Sequence, residues 1–125
     1  MEVRRVLIVD DEAAFTSLVK LNLEKTGRFT VCEVNNPTKA LVAAREFKPD
    51  ITLLDVIMPG QDGGQVLAEL RAAEFVDLPV IFLTATLTQR GLHERDDQID
   101  GVPFIAKPVE PKKLINRINE VLANS

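Results

Sequence analysis

The sequence predicts an α/β domain in which helices cover both faces of a doubly wound parallel sheet. Three observations carry that prediction. Five short runs rich in Val, Ile, Leu and Phe alternate with stretches of helical periodicity, and parallel neighbours need crossover connections of that kind. The first, third and fourth runs are apolar enough to be strands buried on both faces. Carboxylates, a threonine and a lysine fall at the ends of the runs.

The first strand is predicted over 3–9 (VRRVLIV), with Asp10, Asp11 and Glu12 directly after it. A helix over 12–26 follows from Ala14, Leu18 and Leu21 at helical spacing, with Phe15 and Val19 alongside. The second strand takes 29–34 (FTVCEV). Asn36 and Pro37 then start a helix over 37–47, the Asn as side-chain cap and the Pro with its preset φ and no N–H to waste. Ala40, Leu41, Ala44 and Phe47 form its apolar stripe. The third strand, 50–55 (DITLLD), ends on Asp55. Asp62 is the expected N-cap of a helix over 63–74, lined by Val66, Leu67 and Leu70. The fourth strand, 79–84 (PVIFLT), closes on Thr84.

The segment 87–102 breaks the pattern. Leu87, Leu92 and Ile99 stand five and seven residues apart, and Gly91 lies between them. No helical face comes from that spacing, so the fourth helix is expected to be short, irregular or mobile, with loop around it. The fifth strand, 103–107 (PFIAK), closes on Lys107. Leu114, Ile118 and Leu122, with Ile115 and Val121 beside them, predict a last helix over 111–123 with Pro111 in its first turn.

A length of 125 residues favours one domain, and neither an internal repeat nor a linker divides it. With 46% apolar and 27% charged residues the composition is globular rather than disordered. The net charge of −4 repels phosphate backbones and argues against direct nucleic-acid binding. Cys32 is the one cysteine, so no internal disulfide is possible; it reads as a small buried apolar side chain and suits a reducing compartment. No segment approaches the ~18 apolar residues of a membrane span. The N-terminal run Val6–Val9 stops in three acids and is no signal peptide. A cytoplasmic protein is expected.

In an open parallel sheet, ligands bind beyond the carboxyl ends of the strands. If the first, third, fourth and fifth strands are neighbours, Asp10, Asp11, Glu12, Asp55, Thr84 and Lys107 meet on one rim. Clustered carboxylates stay ionised cheaply only around a cation. Few, hard oxygen ligands suit Mg²⁺, which keeps several waters and shares a phosphate. Lys107 offers a point charge to an anion and Thr84 a hydroxyl, which together make a phosphoryl-transfer site. A carboxylate can itself be the nucleophile and form an acyl phosphate. Taken singly, each residue has a plainer reading: a strand end or helix cap for Asp10 and Asp11, an ordinary strand residue for Thr84, a surface lysine for Lys107. Their shared position at strand ends favours the site. His93 and the acids from Glu94 to Asp100 are read as solvated.

The chain resembles the receiver domain of bacterial two-component response regulators, the CheY-like superfamily. The matching pieces are VLIVDDE (6–12), DVIMPGQDG (55–63), FLTA (82–85) and FIAKP (104–108), in the family's order and near its spacing. The resemblance covers essentially the whole chain and implies one receiver domain over 1–125 without an output domain in this chain. It implies a flavodoxin-like (βα)5 fold with strand order 2-1-3-4-5. It implies that Asp55 takes a phosphoryl group from a phosphohistidine of a sensor histidine kinase or phosphotransfer protein. Asp10, Asp11, Asp55 and the backbone carbonyl of Ile57 would hold Mg²⁺, and Lys107 would pair with a phosphoryl oxygen. Thr84 and Phe104 would be the switch residues, Ala85 would leave the phosphoryl group room, and the Lys107–Pro108 peptide would be cis. The signal would pass to a downstream protein or a fused output domain, from a monomer or a dimer formed through the face of the fourth helix, fifth strand and fifth helix.

Two departures from the family pattern matter. Gly101-Val102-Pro103 replaces the usual Gly-Ala turn, and the fourth helix pattern is missing, so the segment 88–97 is expected to order only with a partner or phosphate. Ile57, two residues after Asp55, cannot orient a water, and slow self-dephosphorylation is expected. Three other functions compete. An aspartyl-nucleophile, Mg²⁺-dependent phosphatase would carry a second Asp where Ile57 stands. A flavodoxin-like cofactor module needs a hydroxyl- and Gly-rich loop where this chain has acids. A receiver-like binding module that is never phosphorylated would not need the complete acid–lysine set.

Overall fold

In the computed structural model, residues 2–85, 98–99 and 101–124 are described. Strands and helices alternate along them: β1 (Arg4–Val9), α1 (Ala13–Glu24), β2 (Phe29–Val34), a 3₁₀ turn (Pro37–Lys39) leading into α2 (Ala40–Phe47), β3 (Ile51–Asp55), α3 (Gly63–Ala72), β4 (Val80–Thr84), β5 (Gln98–Ile99), β6 (Val102–Ala106) and α4 (Pro111–Ala123). Five strands run parallel in the order β2-β1-β3-β4-β6, which is the expected 2-1-3-4-5 arrangement. Val9 pairs with Val34 and Leu54, Asp55 with Leu83, and Thr84 with Ala106. The carboxyl ends of β1, β3, β4 and β6 therefore lie side by side.

Alternation along each strand sends neighbouring residues to opposite faces. Val6 and Ile8 of β1 join Leu53, Ile81 and Leu83 in one core layer, closed by Val19 and Leu23 of α1 and by Leu114 and Ile118 of α4. Leu7 and Val9 join Leu54 and Phe82 in the other, closed by Ala40 and Ala44 of α2 and by Val66 and Leu70 of α3. Every residue of β3 and β4 is buried, as the continuous apolar runs predict. Burying one such side chain contributes roughly 1.5–3 kcal/mol, so the two layers fix the register of the strand ends.

The predicted helix starts hold. Asn36 accepts a hydrogen bond from the Thr38 amide (3.0 Å), with Pro37 next. Asp62 caps α3 reciprocally with Gln65: its carboxylate accepts from the Gln65 amide (2.8 Å), and its own amide donates to Gln65 Oε1 (2.9 Å).

Three expectations are corrected. The stripe of Ala14, Leu18 and Leu21 does not face the core: α1 buries Thr16, Val19 and Leu23, while Leu18 and Leu21 are 56% and 63% exposed. The reason is a polar residue that is satisfied where it is buried. Thr16 Oγ1 lies 2.7 Å from Glu33 Oε1 and accepts from Asn35 Nδ2 at 3.0 Å, so burying it costs little. Cys32 is half-buried at the margin of the second layer rather than enclosed. The third correction concerns 87–102, where only a short or irregular helix with loop around it was expected. Gln98–Ile99 is instead a strand, β5, antiparallel to β6, with Ile99 opposite Val102. Between them stands Asp100-Gly101, a dipeptide favoured in two-residue hairpin loops, and Gly101 has φ +81°, which a side chain would oppose. β6 accordingly starts at Val102 and ends at Ala106, one residue before Lys107. The expected irregular fourth helix, and His93 with its acidic neighbours, lie outside the described residues. Among the described residues, no helix is long and apolar enough to cross a membrane.

Candidate functional site

The first residue beyond β1 is Asp10. Its amide donates to the Val34 carbonyl (3.0 Å), its carbonyl accepts from Asn35 Nδ2 (2.8 Å), and its Oδ1 accepts from the Glu12 amide (2.9 Å). It is completely buried. Asp55, the last residue of β3, is also buried, whereas Asp11 is exposed. One carboxylate oxygen from each of Asp10, Asp11 and Asp55 lies within 4.8 Å of the others.

Lys107 reaches this cluster from the end of β6. Its amide donates to the Thr84 carbonyl (2.8 Å), and its bond to Pro108 is cis, as expected. The ammonium lies 2.7 Å from Asp10 Oδ2, 3.3 Å from Glu12 Oε1 and 3.5 Å from Asp55 Oδ1. It also sits 4.4 Å from the centroid of the Phe15 ring. The four predicted groups, Asp10, Asp11, Asp55 and Lys107, are thus brought together. Thr84 is buried at the end of β4, beside Lys107 in the sheet. Phe104 pairs with Phe82 and packs, half-buried, against the α2/α3 layer. The Ile57 side chain is 56% exposed.

Four carboxylates face one ammonium here, an imbalance that shows in the acidities. Burial, then the charge of Asp10, and more weakly that of Asp11, push the Asp55 carboxyl up to about 6 against the pull of Lys107. For Lys107, burial alone would lower the pKa, but its hydrogen bond and charge interaction with Asp10, followed by Asp55 and Glu12, raise it above the ordinary lysine value. Lys107 therefore stays charged, and the rim keeps an excess of negative charge. That excess, in hard oxygen donors within 4.8 Å of one another, fits a small divalent cation such as Mg²⁺.

Several residues of the site were not singled out from the sequence. Phe15 reaches Lys107 across more than ninety positions, and no local pattern announces such a contact. Asn35 and Thr16 brace the Asp10 turn from β2 and α1. Gly63 has a signal in hindsight, since it follows the Asp62 cap. A Cβ there would stand 2.4 Å from the Asp55 carbonyl oxygen, so only glycine lets α3 start against the end of β3.

Residues 6–119 match the family described as "Response regulator receiver domain". Curated relatives include the DNA-binding response regulator MtrA of Mycobacterium tuberculosis (strain ATCC 25618 / H37Rv), 34% identical over 92% of this chain and 49% of that protein. The phosphate regulon transcriptional regulatory protein PhoB of Escherichia coli K12 is 36% identical over 95% of this chain and 52% of that protein. The chain thus spans about half the length of these relatives. Among solved structures, the Francisella response regulator 1452 receiver domain superposes with a TM-score of 0.78 at 25% identity, covering 97% of this chain and 98% of that one.

Proposed function

The chain belongs to the response regulator receiver domain family, and from that premise we propose that Asp55 is its phosphoacceptor, charged by a phosphohistidine of a sensor kinase or phosphotransfer protein. The observation that carries this reading is the meeting of Asp10, Asp11 and Asp55 within 4.8 Å, with the Lys107 ammonium 3.5 Å from Asp55.

With a pKa of about 6, the Asp55 carboxylate is mostly ionised at neutral pH and can act as a nucleophile. Its oxygen attacks the phosphorus of the phosphohistidine. The O–P bond forms as the P–N bond breaks, and the imidazole leaves with the electron pair and takes up a proton. The product is an acyl phosphate on Asp55. Lys107 follows the charge as it moves onto the phosphoryl oxygens, turning from Asp10 toward Asp55. Asp10, Asp11, Asp55 and the carbonyl of Ile57 would hold Mg²⁺, which when bound supplies the positive charge the rim lacks and neutralises the incoming phosphoryl group.

The new group adds about −1.5 to −2 charges and three acceptor oxygens. Thr84, buried at the end of the neighbouring strand, would donate its hydroxyl to one of them. The half-buried Phe104 ring would fill the space that Thr84 vacates. The phosphodonor protein would dock on α1, whose Leu18 and Leu21 form an exposed apolar stripe on the helix that leads away from Asp11 and Glu12. The test is incubation with a small acyl-phosphate donor and Mg²⁺, read by intact mass. The expected result is a phosphate adduct on the wild type and none on Asp55→Asn. Equal labelling of both proteins refutes the assignment.

A further inference from the structure

Lys107 has the site's one positive charge among the described residues, and four groups compete for it. Asp10 and Glu12 hold it at 2.7 and 3.3 Å, while Asp55, the group it must serve, is the farthest of its three carboxylate partners at 3.5 Å. The fourth group is the face of Phe15, 4.4 Å from the ammonium to the ring centroid. Phe15 sits in the first turns of α1, half-buried at the edge of the α1/α4 core layer, and the Lys107 side chain is 13% exposed. An ammonium over an aromatic face is attracted by the ring quadrupole, and more strongly when water is excluded.

We propose that Phe15 is a positioning residue for Lys107: its ring is a neutral anchor that keeps the ammonium on the rim while its carboxylate partners change. The inference rests on the assignment of Asp55 as phosphoacceptor. An anion in place of the ring would hold Lys107 equally well but would repel the incoming phosphoryl group, on a rim that already has four carboxylates. An aliphatic side chain of similar size would fill the same space and exert no pull, leaving Lys107 to the acids that draw it away from Asp55. The ring attracts the cation without adding charge to the rim, whichever carboxylate Lys107 faces.

The experiment compares Phe15→Leu and Phe15→Tyr with the wild type, each also in a Lys107→Met background. Phosphorylation by a small acyl-phosphate donor with Mg²⁺ is timed by intact mass, and urea unfolding checks that each variant is folded. Phe15→Leu is expected to slow labelling about three- to tenfold, Phe15→Tyr to restore it, and Phe15→Leu to have no further effect once Lys107 is Met. In the NMR spectrum the Lys107 ε-methylene protons should be shifted upfield by the ring in the wild type and Phe15→Tyr, and not in Phe15→Leu. Wild-type labelling by Phe15→Leu overturns the proposal, as does a Tyr variant as slow as Leu or a full Leu effect in the Lys107→Met background. If the wild type itself takes no phosphate, the assignment of Asp55 fails first, and that failure is distinct because it does not depend on Phe15.

Discussion

Asp55→Asn should stabilise the metal-free protein at neutral pH, although it removes the proposed phosphoacceptor. Folding places the Asp55 carboxyl beside Asp10 in a buried site and raises its pKa from 3.8 to about 6. Between those values the folded state binds more protons than the unfolded state, so stability falls as pH rises through that window. Above about pH 6 the destabilisation is complete, and below 3.8 it is absent. The full shift corresponds to about 3 kcal/mol. Relaxation of Lys107 and water access at the rim reduce this to about 1–2 kcal/mol. Asn keeps the shape and removes the charge, and Lys107 retains Asp10 and Glu12 as partners. The chain contains neither Trp nor Tyr, so the assay is urea unfolding followed by far-ultraviolet circular dichroism, in chelator, at pH 7.5 and pH 4. The variant should gain about 1–2 kcal/mol at pH 7.5, and the gain should shrink at pH 4. Saturating Mg²⁺ should stabilise the wild type more than the variant. A variant less stable than wild type at pH 7.5, or a difference that ignores pH, would refute the reasoning.

Four further substitutions probe other links. Among the described residues, Thr52 Oγ1, buried in β3, has no hydrogen-bond partner, so Thr52→Val should raise stability by about 1 kcal/mol in the same urea assay. Leu18→Glu on the exposed stripe of α1 should slow transfer from a phosphorylated histidine phosphotransfer protein about tenfold or more. Labelling of that variant by a small donor, and its stability to within about 0.5 kcal/mol, should be unchanged. Gly63→Ala should cost about 1–3 kcal/mol, because its Cβ would meet the Asp55 carbonyl oxygen at 2.4 Å. Gly64→Ala, whose nearest contact is the Asp62 side chain at 3.3 Å, should cost little or gain slightly in the same unfolding measurement.

The sheet was legible because its central strands are buried on both faces, which leaves little choice of register once Val6 to Val9 of β1 and nearly all of β3 and β4 are apolar. The charged cluster was legible for the same reason: Asp10, Asp55 and Lys107 each stand at or just past the end of such a run. The orientation of α1 was not. Leu18 and Leu21 are as apolar as Val19 and Leu23, and periodicity cannot tell a face packed on the sheet from a face left for a partner. The deciding residue was Thr16, whose burial depends on Glu33 and Asn35 far away in sequence. The β5–β6 hairpin was legible in principle, since Asp100-Gly101 between Ile99 and Val102 is a hairpin signal, but a two-residue strand is too short to show the alternation that marks one.

One helix serves three requirements at once, which accounts for its sequence. The side of α1 turned to the sheet must fit the core, and Val19 and Leu23 do so. Its first turns must meet the rim, where Glu12 and Phe15 flank the Lys107 ammonium. Its outer side would receive the phosphodonor, and there Leu18 and Leu21 are exposed where stability alone would favour polar residues. A donor docked on that outer side would bear on the same rigid element that carries Phe15. Docking could then shift the balance of Lys107 between Asp10 and Asp55 without touching either carboxylate. The Leu18 and Phe15 variants separate these roles: the first should matter only when the donor is a protein, the second with any donor.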